Sequence, residues 1–249
     1  MCKAFSCIAT RKKVYWKLGM DSHNDISEHF KLKDDVSNNF CPVEIVPKNN
    51  NYIEPDEWVF NFDDKCPDWW KQSNEEMCWS AKDKWHKQLM KKVYKNRIKN
   101  LINPFELPII KQVTKTDINN LKKWDSIGGS IGDSVRDSIW NSVGGSIGVS
   151  IWNSIWESIG DSVGNSIGGS IWDSVGDSIY GYVGYMFKLE RSEWKYTNKI
   201  KTKSYPFISV VKLWERGLVP SFDGETWRLH SGKKADIVFE ISKKELKMR

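Results

Sequence analysis

With 249 residues, 39% hydrophobic and 28% charged, the chain can bury a sizeable core and has the composition of a soluble globular protein. No apolar run reaches membrane-spanning length, and the N-terminus lacks the apolar stretch of a secretory signal. A cytoplasmic protein without membrane contact is therefore expected, and five cysteines with no disulfide-framework spacing fit a reducing compartment.

The formal net charge of +6 is unevenly spread: −6 over Asp125–Phe187, +5 before it and +7 after it. Basic flanks of this kind are candidate nucleic-acid contacts, or else parts of one body whose charges partly neutralise each other. In chain order, "KAFSCIA" and "KVYWKL" read as two strands joined by a turn at Thr10–Lys12, and "VEIVP" and "EWVFNFD" as two more. Ser73 with Glu76 three residues later forms a capping box that opens a helix over about residues 74–100. Its apolar stripe is Met77, Ala81, Trp85, Leu89 and Val93, with Lys82, Lys91, Lys92, Lys95 and Lys99 outside.

From Asp125 to Tyr185 the sequence repeats every four residues, with Ser at each fourth position from Ser126 to Ser178 and Ile or Val after it. In a helix a strict period of four drifts by about 40° per repeat, so the apolar stripe winds around the axis. Gly, Ser, Asn and Asp are also poor helix formers. Read every sixteen residues, the third position of the tetrad separates into Gly columns, a mixed column holding Arg136 and Trp152, and a column of Trp140, Trp156 and Trp172. This pattern predicts an α+β protein in which a four-sided β-solenoid, sixteen residues per coil, is inserted between capping segments. The divisions are 1–124, 125–186 and 187–249. Ile and Val would fill the solenoid and the tryptophans would form an outward ladder.

The repeat resembles the pentapeptide-repeat proteins, which build a square solenoid from four short repeats per coil, although here the unit is four residues and Ser-Ile/Val replaces their pattern. Some members imitate DNA with an acidic face, and Asp133, Asp137, Asp161, Asp173 and Asp177 would form a sparse counterpart. The opening "MCKAFSCI" and the stretch "GLVPSFDGETWRLHSG" faintly resemble phage and gut-bacterial proteins, which implies a phage setting with a host protein as one candidate partner.

Beyond the repeat, "SYPFISVVKLWERG" reads as a helix with Ser204 as cap, Pro206 in its first turn and Gly217 at its end. Phe207, Val210, Val211 and Trp214 form its buried side. "TWRLH" and "ADIVFEI", joined through "SGKK", make a closing hairpin.

Chemical motifs are sparse. There is no CxxC, HxxxH, P-loop or GxGxxG, so neither metal nor cofactor is expected. Asp21-Ser22-His23 holds catalytic residue types without any sign of triad geometry. The Met1-Cys2 start is similar to that of N-terminal-nucleophile glutamine amidotransferases, which would make Cys2 a nucleophile, but Lys3 stands where that family has Gly. Two surfaces are candidates for ligand contact: the ladder of Trp140, Trp156 and Trp172 with Trp152 and Arg136, and the cluster of Trp227, Arg228 and His230. The reading that follows is a non-enzymatic binding protein for a host protein or a small nucleotide-type ligand. Its alternatives are a Cys2 amidotransferase-like enzyme and a nucleic-acid-binding or DNA-mimic protein.

Overall fold

The computed structural model describes residues 5–32, 39–49, 51–127, 172–188, 192, 200–202 and 204–248. These fall into two compact units, residues 5–93 and residues 94–127 with 172–248. None of the described helices is long and apolar enough to cross a membrane.

The first unit is built on an antiparallel sheet in the order β2-β1-β3-β4, with β1 at Phe5–Thr10, β2 at Val14–Tyr15, β3 at Phe40–Pro47 and β4 at Trp58–Phe62. The β1–β2 turn closes on Thr10, whose hydroxyl donates to the Lys13 carbonyl at 2.9 Å and accepts the Lys13 N–H at 3.0 Å. Alternation along β3 buries Cys41, Val43 and Ile45 on one face and leaves Pro42, Glu44 and Val46 half-buried on the other. The first face lies under α2 (Gln72–Lys91), where Cys78, Ala81, Trp85 and Leu89 are buried and Trp85 meets Phe5 with ring centroids 5.3 Å apart. The second face lies under α1 (His23–Phe30), whose Ile26 is fully buried and whose Phe30 ring packs on Tyr15. Ser22 caps α1 by accepting the Asp25 N–H.

Helix α2 departs from its sequence expectation at both ends. Its cap is Lys71, and the stabilising side chain is Asn74 rather than the Ser73–Glu76 pair: Asn74 Oδ1 accepts the Lys71 N–H at 3.0 Å. Asn74 Nδ2 also donates to the Thr10 and Arg11 carbonyls at 3.2 and 3.4 Å, tying the helix start to the β1–β2 turn. Lys82 points inward, 7% exposed, with its ammonium on Asp83 and 4.6 Å from the Trp58 ring centroid. The helix ends at Lys91, and a separate short helix α3 (Lys95–Lys99) begins the second unit.

In the second unit a helix over residues 115–127, here α4, opens on a reciprocal cap in which Asp117 Oδ2 accepts from both the N–H and the hydroxyl of Thr114 at 2.7 Å. It brings Leu121 and Trp124 into a core with α5 (Trp172–Gly184) and α6 (Ile208–Glu215). Helix α5 packs on α6 and on β5 (Val219–Phe222). The three-stranded antiparallel sheet runs β5-β6-β7, with β6 at Thr226–Ser231 and β7 at Asp236–Ser242, and α7 (Lys243–Met248) closes the described chain. As the sequence suggests, α6 buries Val210, Val211 and Trp214. It ends at Gly217, whose φ of +81° lets the Leu218 N–H reach back to the Leu213 carbonyl.

The described residues form no β-solenoid, and residues 128–171 of the repeat lie outside them. The described strands make two small open antiparallel sheets, and the described ends of the repeat, residues 125–127 and Trp172–Gly184, are helical. The tetrapeptide-repeat architecture, its sixteen-residue coil and the likeness to pentapeptide-repeat proteins fall with it, while the α+β class stands. Two physical facts reconcile the sequence with a helix. From Val175 to Val183 the drift is only about 80°, and the buried face is wide enough to hold Val175, Ser178, Ile179, Tyr182 and Val183 together. The serine hydroxyl also has a partner inside the helix: Ser178 Oγ donates to the Val175 carbonyl and Ser126 Oγ to the Lys123 carbonyl, both at 2.7 Å. Tertiary burial thus outweighs a poor intrinsic propensity.

Candidate ligand-binding site

Of the residues singled out in the sequence, Cys2, Arg136, Trp140, Trp152 and Trp156 lie outside the described residues, as does the side chain of Trp172 at the start of α5. The remaining three sit on β6. Trp227 is buried, stacked on Phe222 and donating its indole N–H to Asp125 Oδ1 at 2.9 Å. Arg228 points outward between Asp223 and Glu240, and its Nε donates to Glu240 Oε1 at 2.7 Å. The Thr226 and Glu225 N–H groups, together with Arg228, hold the Asp223 carboxyl well below the usual carboxylate range.

Alternation places His230 on the Arg228 side of β6, where the unbroken β5–β6 register also puts Ser221, but at this end of the strand that face is buried. His230 Nδ1 donates to the Ala235 carbonyl at 2.9 Å, so Nε2 accepts the Ser221 hydroxyl at 2.7 Å. Burial pushes the His230 pKa down. Ser221 is fully buried, so this serine–histidine pair is a hydrogen-bonded part of the sheet interior with no face for a substrate. Trp227, Arg228 and His230 therefore do not converge on a common opening.

A cavity of about 490 Å³ does open in the second unit, beside the start of α6. The last described turn of α4 supplies Lys123, Ser126 and Ile127 to its wall, and Ile200, Lys201 and Thr202 form another part. Tyr205, Pro206, Ile208 and Ser209 complete it. The apolar part comes from Ile127, Ile200, Pro206 and Ile208. Lys123 and Lys201 are exposed, and no acidic partner for either is found among the described residues.

Helix α6 begins at the cavity without a side-chain cap, since its N-cap is Phe207. The first-turn Ile208 and Val210 N–H groups turn back instead to the Tyr205 and Phe207 carbonyls at 3.3 and 3.1 Å. Ser209, in the first turn, is 3% exposed, and its hydroxyl has no hydrogen-bond partner among the described residues. Tyr205 is anchored, donating to the Gly181 carbonyl at 2.6 Å, and burial raises its pKa well above the ordinary tyrosine value. A space of this size with an apolar wall and two lysines suits a small anionic ligand.

Sequence reading missed this site because its groups are separated by up to 86 positions and carry no local motif. Among the described residues, one set could hold a metal ion: His23, Glu44 and Asp63 in the first unit, with ligand atoms all within 4.8 Å of one another.

No protein-family model matches the chain, and comparisons with curated proteins and with solved structures likewise find no match. The sequence likenesses to pentapeptide-repeat proteins and to phage and gut-bacterial proteins thus gain no support from relatives.

Proposed function

We propose that the chain is a non-enzymatic binding protein whose cavity takes a small nucleotide-type ligand, a phosphate group on a partly apolar body. The observation that carries this reading is the pair Lys123 and Lys201, exposed and without an acidic partner among the described residues, in the wall of a partly apolar cavity. A phosphate there gains two ammonium groups, while the isoleucines and Pro206 take the apolar part. Hydrogen bonds to a charged group contribute about 1.5–3 kcal/mol each.

Calorimetric titration with inorganic phosphate, adenosine monophosphate and adenosine tests the reading. The monophosphate should bind saturably and tighter than either fragment. The pair of substitutions Lys123→Gln and Lys201→Gln, both at exposed positions, should weaken it at least about tenfold with the melting temperature unchanged. Adenosine binding as well as its monophosphate, or a double variant binding as well as the parent, would show that no phosphate site exists here.

A further inference from the structure

We infer that the first unit holds a divalent-cation site formed by His23, Glu44 and Asp63, on the face of the sheet that α1 covers. The three residues are distant in sequence and are brought together by independent elements. His23 is the first residue of α1, fixed by the Ser22 cap. Glu44 stands on β3. Asp63 follows β4 directly and extends its pairing, donating its N–H to the Pro42 carbonyl at 3.2 Å.

The imidazole is the first sign of a ligand set. Its Nε2 lies 3.3 Å from the Val43 carbonyl and its Nδ1 lies 3.0 Å from Asp63 Oδ2. Both neighbours accept hydrogen bonds, and neutral imidazole has one N–H. With the proton on Nε2, the Nδ1 lone pair faces a carboxylate oxygen. In that tautomer the lone pair is free to ligate a metal ion shared with the carboxylate. The Val43 contact is also the kind of second hydrogen bond that fixes the tautomer and orientation of a metal-ligating histidine.

Unsatisfied oxygens are the second, independent sign. Glu44 Oε1 is buried and has no partner among the described residues. Ser6, directly opposite Glu44 in the β1–β3 register, is 2% exposed, and its hydroxyl is likewise without a partner among the described residues. Directly paired residues share a face with Cβ atoms about 4.5–5.5 Å apart. The hydroxyl and the carboxylate therefore stand side by side, yet no bond links them. A third orphan, Asp21 Oδ2, lies close enough to Glu44 to feel its charge. An uncompensated carboxylate oxygen in a buried place is costly, and here three oxygens on one side of one sheet are left in that condition.

One of the distances is that of a coordinating pair, while the set as a whole lies within 4.8 Å and would close on a bound ion. Donors about 2.1 Å from a metal are about 3.0 Å apart at the edge of an octahedron and about 3.4 Å apart in a tetrahedron. The 3.0 Å separation of His23 Nδ1 and Asp63 Oδ2 matches the octahedral edge. One nitrogen and several oxygens suit a first-row divalent ion such as Mn²⁺, and hard oxygen donors discriminate against the softer ions that seek thiolates.

Manganese is the probe of choice because it avoids the cysteines of the chain. Purified chain is titrated with MnCl₂, counting free Mn²⁺ by electron paramagnetic resonance and heat by calorimetry. One Mn²⁺ per chain is expected, with Glu44→Gln and Asp63→Asn each weakening it at least about tenfold and Cys66→Ser leaving it unchanged. The variants are checked by circular dichroism, and Ser6→Ala, which removes no charge, serves as a milder second reading and should weaken binding less. No saturable Mn²⁺ binding up to millimolar concentration, or binding unaffected in folded Glu44→Gln and Asp63→Asn, would reduce the cluster to a histidine–aspartate ion pair and overturn the inference.

Discussion

Helix α5 contains two glycines that should answer the same substitution with opposite signs. A Cβ built at Gly176 meets nothing within 4 Å, whereas one at Gly181 would lie 2.7 Å from Val210 Cγ1, with Phe207 Cβ and Trp124 Cη2 each at 3.5 Å. Replacing an unobstructed helical glycine by alanine removes backbone freedom from the unfolded chain and gains about 0.5–1 kcal/mol. The same gain applies at Gly181, but there the methyl collides with a branched, fully buried side chain that has no free rotamer to retreat into. Overpacking of this kind costs about 1–3 kcal/mol. Gly181→Ala should therefore be net destabilising by about 1–2 kcal/mol and Gly176→Ala stabilising by somewhat under 1 kcal/mol. The assay is urea unfolding followed by tryptophan fluorescence, to which the buried Trp124 and Trp214 of this unit contribute. The midpoints of the two variants should straddle that of the parent. A Gly181→Ala protein as stable as Gly176→Ala would refute the close approach of α5 to α6, and two equal losses would refute the helix.

The pH dependence of stability should carry the mark of His230. Its folded pKa lies below its ordinary value, so its contribution is complete above about pH 6.5 and is lost as pH falls through that value, where the unfolded chain takes up the proton first. The fall in urea midpoint between pH 7.5 and pH 5 should shrink in His230→Gln, and an unchanged fall would remove the histidine from the account. Thiol reactivity should be sharply divided in a Cys2→Ser background. Exposed Cys66 should label quickly. Cys7 and Cys41, whose pKa values burial raises (Cys41 to about 12), and buried Cys78 should label only on unfolding, and fast native labelling of all four would contradict the packing of α2 on the sheet. Asn74→Ala, which strips a cap acceptor and two donors from one position, should cost about 1–3 kcal/mol. Ser73→Ala, at an exposed position one residue earlier, should stay within about 0.5 kcal/mol in the same melting experiment.

Elements whose signal is local were legible in the sequence. The alternation of "VEIVP" and the turn-bounded "TWRLH" and "ADIVFEI" correspond to β3, β6 and β7, and Phe207, Val210, Val211 and Trp214 mark the buried side of α6. Strand β5 went unread because Pro220 and only four residues give it little pattern. Helix α1 went unread although Ser22 and Asp25 spell a cap signal. The repeat misled for a physical reason. A four-residue period disqualifies a long helix with a single apolar stripe, but not helical turns that are buried on a broad face and lined by serines that satisfy themselves. The sites were illegible in a different way. Lys123 meets Lys201 and Ser209, and His23 meets Glu44 and Asp63, only after chain topology has set the distances.

The end of β6 does more than orient one imidazole. Trp227, Leu229 and Ser231 alternate onto one face of the strand and Arg228 and His230 onto the other, and from Leu229 onward both faces are buried. The strand thus presents three consecutive buried residues, Leu229, His230 and Ser231, and the last of them accepts the Ile110 N–H on its hydroxyl at 3.0 Å. At Gly232, φ +73°, an added Cβ would already lie 3.0 Å from Ile109 Cβ. A strand end buried on both faces therefore serves two clients at once, its neighbour β5 through the histidine and the segment around residues 109–110 through the serine.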